Sequence, residues 1–225
     1  MTTNKLLATV VGEVFGKTVQ AYPRYGSEKK GLPTSYSLLI ADGPIRSHAE
    51  LERVDFVPLH DVAAFDLGDP IAGLVDGGTV FLQSSLADPG AIWASIPEPV
   101  RAEILRRRIR VTALDTAALA AAHAPRPELT IRMQGIALVG VFLRVTRFAA
   151  DAGLDRDAVI EAVGARLARF FGKRGDAVLA ANRAVVAAAY DGVIDVSERL
   201  GLPAGIQRSL VSRRSAPVAL QEVPA

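Results

Sequence analysis

Cysteine is absent from the 225 residues. The chain can therefore carry no disulfide, no thiol nucleophile and no thiolate-held iron–sulfur cluster, a composition at home in a reducing cytoplasm. Aromatics make up only 6% and are not interleaved with the basic clusters, so no platform for stacking nucleic-acid bases is visible. Histidine occurs only as His48, His60 and His123. No pair of these has metal-ligand spacing, and neither a metal site nor a catalytic residue is expected. A formal net charge of +2 gives no strong long-range field toward nucleic acid. The longest apolar run, Met133 to Leu143, is too short to span a bilayer. The opening Met1-Thr-Thr-Asn-Lys5 lacks the charged-then-apolar layout of a signal peptide. A soluble cytoplasmic protein with no nucleic-acid or membrane partner is expected.

What is present is enough apolar material, half of all residues, for one sizeable core. The expected layout is a domain over residues 1–200 and an extended tail over 201–225, which carries Pro203, Pro217 and Pro224 and is expected to contact partners. Within the domain, Leu6, Val10, Val11 and Val14 recur near the helical period over Lys5–Phe15. Asn4 suits its N-cap and Gly16 its C-cap. Lys17–Tyr22, Thr34–Ile40, Asp55–Leu59, Thr79–Gln83 and Ile109–Leu114 read as strands. Asp69–Asp76 reads as a helix closed by Gly77-Gly78, followed by helices near Ile92 and over Pro99–Arg107, and by an Ala-rich helix capped by Asp115. Alternating strands and helices with short connections predict an α/β, Rossmann-like fold with a mostly parallel sheet flanked by helices. From Leu129 onward the pattern is helical. Met133–Gly153 is a buried helix in which Gly135 and Gly140 admit a close neighbour, and two amphipathic helices follow, meeting at Gly172–Gly175, with Asp176 capping the last.

The stretch Tyr22-Pro-Arg-Tyr-Gly-Ser-Glu-Lys-Lys-Gly31 packs two Gly, a Ser and adjacent lysines between two strands. Such a turn can aim N–H and ammonium groups at one anionic point, phosphate being the usual one; the plainer reading is a solvated connection. Other candidates are weaker. His60-Asp61 could be an oriented base but reads as a structural pair. Ser84-Ser85 follows the clearest strand without the glycines of a nucleophile elbow. Asp151, Asp155 and Asp157 read as helix caps. Arg106–Arg110 reads as a solvated helix end that could meet partner carboxylates. Gln134 and Asn182 fall on apolar helix faces, where a buried amide must find partners, either within the core or in pinning helices to the sheet near a ligand.

Asn4-Lys5, Tyr25-Gly-Ser-Glu-Lys-Lys-Gly31, Pro44-Ile-Arg-Ser47, Val54-Asp-Phe-Val57, Gly77-Gly-Thr-Val-Phe-Leu82, Met133-Gln134, Phe171-Gly-Lys-Arg-Gly175 and Asn182 stand in an order that resembles the gamma subunit or domain of pyruvate:ferredoxin oxidoreductase-like 2-oxoacid:acceptor oxidoreductases. The resemblance implies a hetero-oligomer of gamma with alpha, beta and ferredoxin-like delta subunits that decarboxylates a 2-oxoacid and passes the acyl group to coenzyme A. It implies that thiamine diphosphate and iron–sulfur clusters belong to the partner subunits. By position, Lys29 and Lys30 would bind coenzyme phosphates, Gly26, Ser27 and Gly31 would shape the loop, and Asn4 and Lys5 would lie at the helix N-terminus beside it. The alternative is a purely structural assembly subunit.

Overall fold

The computed structural model describes residues 3–24, 35–46, 51–171 and 175–205. In chain order the elements are α1 (Thr3–Phe15), β1 (Thr18–Arg24), β2 (Ser35–Ala41), β3 (Val54–Leu59), α2 (Ala64–Leu67), β4 (Leu74–Gln83), α3 (Pro89–Ser95), α4 (Glu98–Arg106) and β5 (Arg110–Leu114). They continue with α5 (Thr116–His123), α6 (Thr130–Val145), α7 (Phe148–Asp151), α8 (Arg156–Phe171), α9 (Asp176–Gly192), β6 (Ile194–Asp195) and α10 (Val196–Arg199).

A four-stranded sheet in the order β3-β4-β5-β6 organises the domain, the first three strands parallel and β6 antiparallel. Both faces are covered, which is why its strands are apolar at nearly every position rather than alternating. Phe56 and Phe81 point into one core with α1, α6, α8 and α9. Val57, Val80, Leu82, Val111 and Ala113 point into the other, beneath the layer that includes α3 and α4. The first core holds a string of rings: Phe56 meets Phe142 edge-on at 6.0 Å, and Phe142 stacks on Phe148 at 5.6 Å. The mostly parallel sheet flanked by helices is thus as expected.

Several local expectations are corrected. The first two strands do not join the parallel sheet. They form a separate antiparallel hairpin, Thr18 opposite Ala41 through Arg24 opposite Ser35, because the ten residues between Arg24 and Ser35 are fewer than a parallel crossover needs. Asp69–Asp76 is not a helix: its last residues open β4, and Gly77, at φ +74°, is a kink inside the strand that donates its N–H to the Arg107 carbonyl at 2.8 Å. The buried helix ends at Val145, where Thr146 turns extended and donates both its N–H and its hydroxyl to the Phe142 carbonyl, and α7 then starts anew. α1 begins at Thr3, so Asn4 lies in its first turn with its side chain buried rather than capping from outside. Gly175 takes the N-cap position of α9 in place of Asp176.

Other expectations hold. Asp115 and Asp155 each accept a backbone N–H three residues on, from Ala118 at 2.9 Å and Ala158 at 2.8 Å. Gly140 admits α9 so closely that a Cβ there would lie 2.3 Å from the Val186 carbonyl oxygen. At the amino edge of the sheet, Gly205 donates to the Arg108 carbonyl at 2.7 Å and lies against Gly77.

Candidate functional site

In open α/β sheets, ligands gather where the parallel strands end. Here that carboxyl edge is built around Gln83, the last residue of β4. Its Oε1 accepts from the Thr116 backbone N–H at 2.7 Å and from the Thr116 hydroxyl, and its Nε2 donates to Asp115 Oδ1 at 2.9 Å. One side chain thereby fixes the first turn of α5 to the neighbouring strand. Gln134 reaches the same Thr116 hydroxyl at 3.5 Å, a long contact that touches α6 to this edge. One residue further along α6, Gly135 makes room for Thr3: a Cβ there would stand 2.1 Å from Thr3 Oγ1. The start of α1 therefore lies at the same edge as the strand ends.

Beside Gln83 the edge opens into a broad, solvent-open cleft of about 460 Å³, with Asp61, Ser85, Leu86, Ala117 and Ala118 all exposed. The residues just past each strand line it: His60 and Asp61 after β3, Ser84 and Ser85 after β4, Asp115 after β5. Val62, Leu86, Ala117 and Ala118 supply apolar wall. Two carboxylates and no Lys or Arg face it among the described residues. Asp61 Oδ1 accepts from the Ala63 N–H at 2.9 Å, so both aspartates spend one oxygen on the backbone. His60-Asp61 and Ser84-Ser85, weak signals taken singly, share one cleft. The clue available in the sequence was that each directly follows a strand.

Of the residues the sequence put forward for binding, Lys5 is exposed on the first turn of α1 while Asn4 is 2% exposed, its side chain in the interior. Gly26, Ser27, Lys29, Lys30 and Gly31 lie outside the described residues; the described stems of their connection end at the paired Arg24 and Ser35. Asn182 is buried on α9, and its Nδ2 meets no acceptor among the described residues.

The arginine run is not simply a solvated helix end. Arg107, with a side chain only 10% exposed, holds Asp76 at 3.0 Å and the Ile71 carbonyl at 3.1 Å. Arg110 holds Asp195 at 2.7 Å, tying β5 to β6. Arg106 pairs with Glu103, whose carboxyl it holds below the ordinary range chiefly through that hydrogen bond. At the far side of the helical layer, the hydrogen bond from Arg156 likewise lowers the Asp191 carboxyl and clips the start of α8 to the end of α9. Among the described residues no group of three or more His, Asp or Glu is placed to hold a metal ion, and no helix is long and apolar enough to cross a membrane.

Residues 1–192 match the family described as pyruvate ferredoxin/flavodoxin oxidoreductase. The chain is 25% identical over 197 residues to the pyruvate-flavodoxin oxidoreductase of Trichormus variabilis, an alignment covering 87% of this chain and 16% of that protein. It is 39% identical over 69 residues to the pyruvate/ketoisovalerate oxidoreductases common subunit gamma of Thermococcus kodakarensis, covering 31% of this chain and 37% of that subunit. The chain thus spans only a small part of the length of the first of these curated relatives. In fold it is similar to the pyruvate oxidoreductase subunit PORC of Thermotoga maritima, with a TM-score of 0.59 at 20% identity over 85% of this chain and 88% of that one.

Proposed function

The chain belongs to the pyruvate ferredoxin/flavodoxin oxidoreductase family, and from that membership we propose that it is the gamma component of a multi-subunit 2-oxoacid:acceptor oxidoreductase. The observation that carries this reading is a family match running through residues 1–192, nearly the whole folded part, together with a gamma-subunit fold. In this reading the chain catalyses nothing alone. Alpha, beta and ferredoxin-like delta partners in the cytoplasm supply thiamine diphosphate and the iron–sulfur clusters, in keeping with a chain that has no cysteine thiolate to offer. Residues 201–225 contact those partners.

The chain's own contribution is a coenzyme A-facing loop carrying Lys29 and Lys30. The hairpin supports this by length. α1, at 13 residues, is about 20 Å long, and the seven-residue stems β1 and β2 are about 20 Å as well. β1 follows α1 after the turn at Gly16 and packs against it; in this reading it runs back along the helix, and the stems end level with the first turn of α1. There the helix dipole favours an anion, and Lys5 is exposed beside it. Lys29 and Lys30 would hold coenzyme phosphates as point charges, Gly26, Ser27 and Gly31 shaping the turn. Asn4, being buried, would orient the helix rather than touch the ligand. Each charge-assisted contact would contribute about 1.5–3 kcal/mol.

Replacing Lys29 and Lys30 together with Ala tests the loop. The expected result is a raised half-saturating concentration of coenzyme A in the assembled complex, with subunit co-purification intact. Unchanged coenzyme dependence with lost assembly would leave the chain a purely structural subunit.

A further inference from the structure

Three helices end in one hydrogen-bonded pattern. After α7, the N–H of Leu154 donates to the Ala149 carbonyl at 2.9 Å and that of Gly153 to the Ala150 carbonyl at 3.0 Å. After α10, Leu202 donates to Ser197 at 2.9 Å and Gly201 to Glu198 at 3.1 Å. After α4, Ile109 donates to Ile104 at 2.9 Å and Arg108 to Leu105 at 3.2 Å. This is the Schellman motif, whose pivot takes the left-handed conformation and is usually glycine. Gly153 sits there at φ +67° and Gly201 at +60°, but the third pivot is Arg108, at +52°. Among the described residues every other positive φ belongs to a glycine, because a Cβ in that conformation crowds the following carbonyl oxygen.

The fold gives no reason for an arginine at this pivot. Its N–H and its carbonyl, which accepts from Gly205 at 2.7 Å, are backbone groups that glycine would supply equally well. Its side chain is exposed and makes no hydrogen bond or ion pair among the described residues. The acids that the preceding arginines reach are already engaged: Glu103 holds Arg106 at 2.6 Å and Arg107 at 3.5 Å, and Asp76 holds Arg107 at 3.0 Å. Two large apolar side chains stand open to solvent beside the turn. Leu105, 37% exposed, belongs to the motif itself. Leu200, 38% exposed, lies on the segment that runs from Ser197, whose Oγ accepts from the Val111 N–H at 2.9 Å, to Gly205, bonded to Arg108.

We propose that Arg108 is a docking residue for another polypeptide. Its planar fork of N–H donors takes a carboxylate of a partner subunit, and Leu105 and Leu200 form the apolar surround that keeps water from the pair. The site lies at the amino pole of the sheet, where β5 begins. The fold by itself favours glycine at this position, and the partner favours arginine. The inference takes from the reading above only that partner subunits exist.

The test sets the stability of the isolated 225-residue chain against its affinity for the alpha, beta and delta subunits, purified together without it. Arg108→Gly is expected to hold or raise Tm, because the turn relaxes, and to weaken binding at least about ten-fold. Arg108→Asn also tolerates the left-handed turn and is expected to weaken binding alike. Arg108→Lys, a charge without the fork, is expected to fall between these and the wild type. Added salt is expected to weaken the wild type more than Arg108→Gly. A lowered Tm in both Arg108→Gly and Arg108→Asn would make the side chain a part of this chain's own fold, and unchanged affinity in both would leave it without a partner; either result overturns the proposal alone. A wild-type chain that binds none of the three subunits overturns the subunit reading, and the proposal falls with it.

Discussion

Gly140→Ala separates tertiary packing from local propensity by the sign of its effect. In an isolated helix, Ala is favoured over Gly by about 0.8–1.0 kcal/mol, so α6 alone predicts a more stable protein. The structure predicts the reverse. A Cβ on Gly140 would lie 2.3 Å from the Val186 carbonyl oxygen, 2.9 Å from Ala189 Cβ and 3.0 Å from the Tyr190 backbone nitrogen. Two of these neighbours are backbone in the middle of α9 and cannot rotate away, so the two helices must part. Overpacking of a tight core costs about 1–3 kcal/mol, and the upper end applies when backbone must move. After the propensity gain, a net loss of about 1–2 kcal/mol remains, or roughly 2–8 °C in Tm for a chain of this size. Gly12→Ala is the control. Its Cβ would meet only the Lys17 carbonyl oxygen at 3.5 Å and Val19 Cγ2 at 3.9 Å, ordinary contacts, so it should gain up to about 1 kcal/mol. Urea unfolding with a shared slope compares the two. If Gly140→Ala proves as stable as the wild type or more so, the close approach of α6 and α9 is wrong.

Gln83→Leu leaves the buried Thr116 without its acceptor and should cost about 1–3 kcal/mol in urea unfolding; a loss below that range would mean the Gln83 clasp does not hold α5. Arg107→Ala should cost about 1 kcal/mol by the same measurement, mostly from the lost Ile71 carbonyl contact, because the Asp76 carboxylate is 79% exposed and its pairing is screened. Asp191 is held below its ordinary value of 3.8 by the hydrogen bond from Arg156. Its contribution is therefore present above the unfolded carboxyl range and lost as pH falls through the lower folded value. Asp191→Asn should accordingly lower stability near neutrality and flatten the acid limb, and parallel pH–stability curves for the two proteins would contradict the ion pair.

The three parallel strands were legible because a strand covered on both faces leaves an apolar run, as in Thr79–Gln83, that no surface helix shows. The hairpin was misread although its signal was present: the sequence between β1 and β2 carries no helical periodicity and is too short for a crossover, and such a reversal makes antiparallel partners. Leu74-Val-Asp76 followed by two glycines looks like a helix end. Only the Arg107 carbonyl, distant in sequence, shows that Gly77 is a strand kink instead. At the site, Asp115 was recognised as a cap but Gln83 was passed over, since its three partners come from residues more than thirty positions away. His60-Asp61 and Ser84-Ser85 were discounted one at a time, whereas the sheet brings them together.

Gly205, seated on Gly77 and bonded to Arg108, lies at the amino pole of the sheet, with the length of β4 between it and Gln83. A labelled side chain introduced at position 205 would press on the Gly77 backbone and so report on the kink in β4, at the opposite end of that strand from Gln83.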